Sequence, residues 1–157
     1  HFAFQPFCHR FPPWLRTILP YRNEEDVMAR PDQVFHLREG EKELGFAQAV
    51  KAGGFLFVAG TCSLDLDSNV VGKGDMRAQL EQCYRLIGMA LEAHGIGFGE
   101  VVKEQIFVSD IEAFRAALPS RHAVYEGAAP PAATWIEVSR FMRPDFQIEI
   151  EVTAELP

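Results

Sequence analysis

Two glutamates and a tryptophan near the C-terminal end of the chain are the side chains best spaced for chemistry. A run from Pro130 to Arg140 carries Trp135 and Glu137, a Met142-Arg143-Pro144-Asp145 turn follows, and Gln147 to Ala154 then carries Glu149 and Glu151. Both runs alternate apolar and polar residues, so both are expected to be strands with two unlike faces. Ile148, Ile150, Val152 and Ala154 fall on one face of the second strand, and Gln147, Glu149, Glu151 and Thr153 on the other. Trp135, Glu137 and Ser139 share a face of the first. Joined by the Pro-containing turn, the strands are expected to bring Glu137 and Glu149 close to the Trp135 ring. An aromatic wall desolvates a carboxylate and favours its neutral form, which suits it to acid–base work near neutral pH. Taken alone, an alternating row of carboxylates is the solvated side of a sheet.

Other chemistry finds less support. Cys8, Cys62 and Cys83 are an odd number without CxxC spacing, which points to free thiols in a reducing compartment. Cys83 falls on the apolar stripe of a helix and is expected to be core. Cys62 follows a Gly60-Thr61 turn with no base nearby in sequence, and is expected to be a plain loop cysteine rather than a reactive thiol. No His, Cys and carboxylate spacing matches a zinc or iron site, so neither metal nor cofactor is expected. Gly72-Lys73-Gly74 lacks the strand-to-helix fingerprint of a phosphate loop. The net charge of −7 with no Lys/Arg run argues against nucleic-acid binding. No stretch approaches the length of a membrane span, no signal peptide is evident, and a cytoplasmic protein is expected.

The elements that must position these groups follow from periodicity. At 157 residues, 48% apolar and 24% charged, the chain suits one soluble globular domain. Residues 1–27 interleave Phe2, Phe4, Phe7, Phe11 and Trp14 with prolines and show no period. They are expected to be an extension preceding a native start at Met28, with 28–157 a single domain. An arm that lays its aromatic rings on a neighbouring subunit is the other reading. Strands are expected near Val34–Leu37 and Phe46–Ala52, then a Gly53-Gly54 hairpin turn and a third strand over Phe55–Gly60. Asp75 opens a long helix whose stripe is Leu80, Cys83, Ile87, Ala90 and Leu91, ended by Gly95. His94 suits its last turn by charge. Val101–Val108 is a strand and Glu112–Tyr125 a second helix. This order predicts an α+β fold, a mixed sheet with both helices on one face. Phe55-Leu56-Phe57-Val58 is apolar on both sides, so the other face needs covering, and oligomerisation follows.

From Val34 to Leu156 the chain resembles the YjgF/RidA (Rid, L-PSP endoribonuclease-like) family. The resemblance is carried by Gly45-Phe46-Ala47-Gln48-Ala49-Val50, Phe57-Val58-Ala59-Gly60, Phe107-Val108-Ser109-Asp110, Ala132–Val138 and above all Ile148-Glu149-Ile150-Glu151 with Ala154. It implies a chorismate-mutase-like fold, a homotrimer packed through its sheets, and small-molecule pockets at the subunit clefts. It also implies hydrolysis of reactive enamines and imines to oxo acids and ammonia. In such a site an arginine clamps the substrate carboxylate as a bidentate pair. At that place this chain has Ala133, which defines an arginine-less branch of the family. The pocket tyrosine becomes Phe46, the small residue two past the arginine becomes Trp135, a serine becomes Ala59, and an asparagine falls on His122. The water-activating glutamate is kept as Glu149.

The resemblance therefore implies a water-activating Glu149, with Phe46, Ala59, Ala133 and Trp135 against the substrate. Strand parity adds Glu137 to that wall, and an imidazole that titrates near neutral pH makes His122 the catalytic proton partner expected for Glu149. His122 could equally be a surface helix residue, and Glu149 a structural acceptor. Without the arginine an anionic imino acid loses about 1.5–3 kcal/mol for each charged hydrogen bond removed. Arg140 and Arg143 are poor substitutes by strand parity and position. The expected activity is hydrolysis or deamination of a neutral or aromatic small molecule. The alternative is a non-catalytic trimeric binding protein with an aromatic cleft. A ribonuclease role stands third, against the net acidity.

Overall fold

A computed structural model describes residues 31–157. Its centre is a six-stranded sheet built from β1 (Val34–Phe35), β2 (Ala49–Ala52), β3 (Phe55–Cys62), β4 (Val101–Val108), β5 (Ala132–Glu137) and β6 (Ile148–Glu155). The spatial order is β1-β2-β3-β6-β4-β5, antiparallel throughout except that β5 runs parallel to β4. Three helices punctuate it: α1 (Gly40–Leu44), α2 (Met76–Glu92) and α3 (Ile111–Val124). The expected α+β order is present, and the proposed boundary between residues 27 and 28 lies outside the described residues.

Local sequence explains most elements. Gly53 and Gly54 both take positive φ, 58° and 81°, the geometry a two-residue hairpin needs, and β2 and β3 pair across them. Asp75 Oδ1 accepts from Ala78 N at 3.0 Å and caps α2. Gly95, at φ 73°, ends it while Ile96 N reaches back to Leu91 O. Asp110 caps α3 through the Glu112 and Ala113 N–H groups. Two expectations shift. The second strand begins only at Ala49, because residues 46–48 turn Gln48 inward against Thr61. The five-residue α1 is too short to leave a periodic signal.

The core lies between the sheet and α2 with α3. Leu56 and Val58 of β3, Ile106 and Val108 of β4, and Ile148, Ile150 and Val152 of β6 pack on Leu80, Cys83, Ile87 and Leu91 of α2 and Phe114 of α3. At roughly 25 cal/mol per Å², burying a Leu, Ile or Phe contributes about 1.5–3 kcal/mol each. The opposite face has no layer on it from the described residues, and there Phe55 and Phe57 remain 37% and 47% exposed.

Candidate functional site

Register decides which candidate residues share a face, since partners across a ladder point the same way. Phe107 is registered with Glu149, and Cys62 with Glu149, so Glu149 and Cys62 lie on the open face. Ile106 is registered with both Ile150 and Trp135, which puts Trp135 on the helix-covered face. Val108 registers with Ile148 and Glu137, and Glu104 with Val152 and Ala133. Glu137 and Ala133 therefore also belong to the covered side. The expected meeting of Glu137 and Glu149 beside Trp135 does not occur within the chain. The physical reason is topological: β4 lies between β5 and β6, so the turn does not make a hairpin, and strand parity then separates the groups.

Glu149 sits at an irregularity of β3. The pairing of β3 with β6 shifts between Val58 and Thr61, and Gly60 falls in that bulge. A β-carbon at Gly60 would run into the Glu149 carboxylate, approaching Cδ to 2.9 Å. Cys62 is the register partner of Glu149 across β3 and β6, which sets the thiol beside the carboxylate. Burial, and then the Glu149 charge, push the Cys62 thiol well above the usual thiol range. Arg38 and Arg143 act on it in the opposite sense. Ala59, whose N–H bonds Gln48 O at 2.9 Å, lines a shallow depression of about 310 Å³ on the open face with Val50, Phe57, Lys103, Gln105 and Glu151. Phe46 is 40% exposed just beyond α1.

The β5 edge forms a second cluster. Trp135 packs edge-on against Phe114, with ring centroids 5.4 Å apart, and the Arg121 guanidinium lies 5.1 Å from its ring centre and 5.0 Å from that of Tyr125. Arg121 is fixed by a carboxylate: its Nε and Nη2 both reach Glu104 Oε2 at 2.8 Å. Tyr84 and Tyr125 donate to Glu104 Oε1 at 2.6 and 2.8 Å. Burial and then the Glu104 charge raise both tyrosines well above their ordinary value, so both stay as donors. Sequence reasoning passed over Arg121, yet Glu104 alternates with Ile106 and Val108 toward the core, and a carboxylate there demands a cation. Glu137 Oε2 accepts the Ile111 N–H at 2.9 Å, a contact at the α3 N-terminus that is structural. His122 is exposed in the last turn of α3, on the helix side of the sheet and not beside Glu149. Arg143 is exposed and donates to Ser68 O at 3.0 Å.

Among the described residues no group of three or more His, Cys, Asp or Glu is arranged to hold a metal ion, and no helix is long and apolar enough to cross a membrane. The candidate residues thus fall into two separate clusters: Glu149, Cys62, Gly60 and Ala59 on the open face, and Ala133 and Trp135 over a buried Glu104–Arg121 pair at the β5 edge.

RutC family protein PH0854 of Pyrococcus horikoshii is 36% identical over 123 residues, covering 78% of this chain and 96% of the relative. The 2-iminobutanoate/2-iminopropanoate deaminase of Salmonella typhimurium is 30% identical over 111 residues, 69% of this chain and 85% of that protein. Among solved structures, Rv2704 of Mycobacterium tuberculosis, described as a member of the YjgF/YER057c/UK114 family, superposes with a TM-score of 0.66 at 30% identity, covering 79% of this chain and 98% of that one. With the Endoribonuclease L-PSP pattern matching residues 40–156, this chain belongs to that family, the RidA/YjgF/RutC proteins.

Proposed function

We propose that this chain is a Rid-type hydrolase or deaminase acting on a small molecule with a C=N or enamine group, neutral where it meets the site, with Glu149 orienting or activating water. One observation carries the reading: the Glu149 carboxylate lies over Gly60 at the β3 bulge, on the open face of the sheet, in space that only a glycine leaves free. A carboxylate so placed can accept a proton from water and return it to a leaving amine. The arginine-less character rests on Ala133, which offers no clamp for a substrate carboxylate. Simple imino acids, the substrates named for the Salmonella relative, are accordingly not the proposed ones.

The two half-sites meet, on this reading, between subunits of a homotrimer. Support comes from the exposed Phe55 and Phe57 on the open face and from the exposed β5 edge, which a neighbouring copy would cover together. A monomer mass by light scattering at micromolar concentration would refute the assembly and the composite pocket. Ammonia release from a panel of neutral imines and enamines tests the activity. Glu149→Gln keeps the shape, so it should abolish turnover and spare binding; an unchanged rate refutes the catalytic role. The placement of His122 away from Glu149, and the protonated state of Cys62, favour a second reading as a non-catalytic binding protein. An aromatic ligand that co-purifies without being turned over would establish that reading instead.

A further inference from the structure

The irregularity beneath Glu149 is held from the other side of the sheet. Val58 registers with Val152 and Thr61 with Ile150, so Ala59 and Gly60 together stand opposite the single residue Glu151. A bulge of this kind takes its extra residue out of the ladder and leaves backbone groups to be satisfied elsewhere. One unit meets both groups of Ala59. Its N–H donates to Gln48 O at 2.9 Å, and its carbonyl accepts the Thr61 hydroxyl at 2.8 Å. Gln48 Nε2 donates to that same hydroxyl at 2.9 Å. Gln48 and Thr61 are each 1% exposed, and Thr61, the register partner of Ile150, belongs to the helix-covered face.

The bonds of this unit run in one direction. The Arg38 guanidinium has only donors, and its Nη2 lies 3.4 Å from Gln48 Oε1, which is therefore the acceptor. That orients the Gln48 amide with its NH2 toward Thr61. The Thr61 hydroxyl receives that bond and has a single hydrogen to give, which goes to Ala59 O. Each donor polarises the next, and reversing one would leave a buried group unmet. Thr61 points away from the open face, so the action of the pair on that face passes through the backbone of Ala59 and Gly60. Gly60 is where the Glu149 carboxylate lies, in the space of a missing β-carbon.

We propose that Gln48 and Thr61 are positioning residues for Glu149. Acting from the covered side, they fix the bulge at Ala59 and Gly60, and the bulge fixes where the carboxylate sits on the open face. A consequence for catalysis rests on the reading of Glu149 given above; the positioning itself does not.

Thr61→Val keeps the shape of the side chain and removes the hydroxyl, whereas Thr61→Ser keeps the hydroxyl and its two bonds. Cys62, the register partner of Glu149, reports the position of the carboxylate through its rate of alkylation at about pH 8. In folded Thr61→Val that rate should rise several-fold, and Thr61→Ser should return it to within about twofold of wild type. In the Glu149→Gln background Thr61→Val should add less than about twofold, because no charge is left to displace. A loss of packing alone would accelerate Cys62 in both backgrounds, and that additive result overturns the proposal. An unchanged rate in folded Thr61→Val, or a Thr61→Ser protein that labels like Thr61→Val, overturns it too. Gln48→Met removes the amide donor from another part of the chain, and takes the same comparison should Thr61→Val fail to fold. Failure of both to fold would assign the pair to folding alone and overturn the proposal. Turnover separates this proposal from the hydrolase reading. If the coupling is found while Glu149→Gln leaves turnover untouched, the hydrolase reading fails and the positioning stands. If Glu149→Gln abolishes turnover while the labelling is additive, the positioning fails and the hydrolase reading stands.

Discussion

The Glu149 carboxylate lies directly over Gly60, in the space a β-carbon would need. Gly60 has no positive φ, so alanine would suit its backbone and the conflict is with the carboxylate alone. The far end of a flexible side chain can move away, and overpacking of this kind costs about 1–3 kcal/mol. Gly60→Ala should therefore fold, with a melting temperature lowered by a few degrees, and with Glu149 displaced. In an activity assay it should behave like Glu149→Gln. Full activity in a folded Gly60→Ala protein would show that the seat of Glu149 is irrelevant to function.

Cys62 is held as a thiol by burial first and by Glu149 second. Alkylation mapped by mass spectrometry near pH 8 should leave Cys62 much slower than an unperturbed cysteine, whose thiolate fraction there is appreciable. Removing the carboxylate charge in Glu149→Gln should accelerate Cys62 several-fold, because the second cause is removed while burial persists. Rapid labelling in wild type would mean that Cys62 is an accessible thiolate and not a shielded thiol.

The Glu104–Arg121 pair predicts a contrast between two glutamates on the covered side. Glu104 is fully buried and satisfies one guanidinium and two phenols. Glu104→Gln leaves the Arg121 charge buried without its counterion, a loss of about 3–5 kcal/mol. Trp135 emission should also change, because Arg121 packs on that ring. Glu137 is exposed and meets only a helix N-terminus, so Glu137→Gln should cost about 0.3–1 kcal/mol. Denaturant unfolding of the two variants checks the ranking, and equal losses would contradict the structural assignment of Glu137.

Much of this fold was legible because its helices and strands obey strict periods. The α2 stripe, the Gly53-Gly54 turn and the alternation of β4 and β6 each report a local rule that tertiary packing leaves intact. The candidate site was legible only in its residue types. Parity assigned Trp135 and Glu137 to one face of β5 and Glu149 to one face of β6, but no local signal says that β4 intervenes between those strands. Nor does periodicity mark Arg38, Glu41 and Gln48, which are buried through a five-residue helix and an irregular run. Glu104 was the missed clue, since an acidic residue at an inward position of a strand must find a cation.

High pH should destabilise the protein. Tyr84 and Tyr125, raised by burial and by Glu104, and Cys62, raised by burial and Glu149, all bind their protons more tightly folded than unfolded. Their stabilisation is complete below the unfolded values, about 9 for the thiol and about 10 for the phenols, and is lost as pH rises toward the folded ones. The unfolded chain then releases protons that the folded one keeps, so stability falls with pH. Denaturation midpoints should decline from about pH 9 upward, and in Glu104→Gln the decline should be shallower. A flat profile to pH 11 would contradict the tyrosine–glutamate geometry.

Restoring an arginine at position 133 tests whether the family clamp can be rebuilt. Ala133 shares the covered face with Glu104, its register partner, and with Trp135 two residues on. The carboxylate that a new guanidinium would meet is already bound by Arg121 at 2.8 Å. A second cation beside Arg121 would be repelled in a partly desolvated setting, and the Trp135 ring, held by Phe114 and Arg121, narrows the space left for a substrate carboxylate. Imino acids generated in situ from small amino acids by an oxidase supply the assay, with ammonia as the readout. Wild type should be negligible against an arginine-bearing relative, and Ala133→Arg should stay within about tenfold of wild type, a gain of no more than roughly 1.4 kcal/mol in transition-state binding. Recovery to the rate of the relative would show that Arg121 and Trp135 leave the clamp position open, and that the loss of one side chain alone separates this chain from imino-acid hydrolysis.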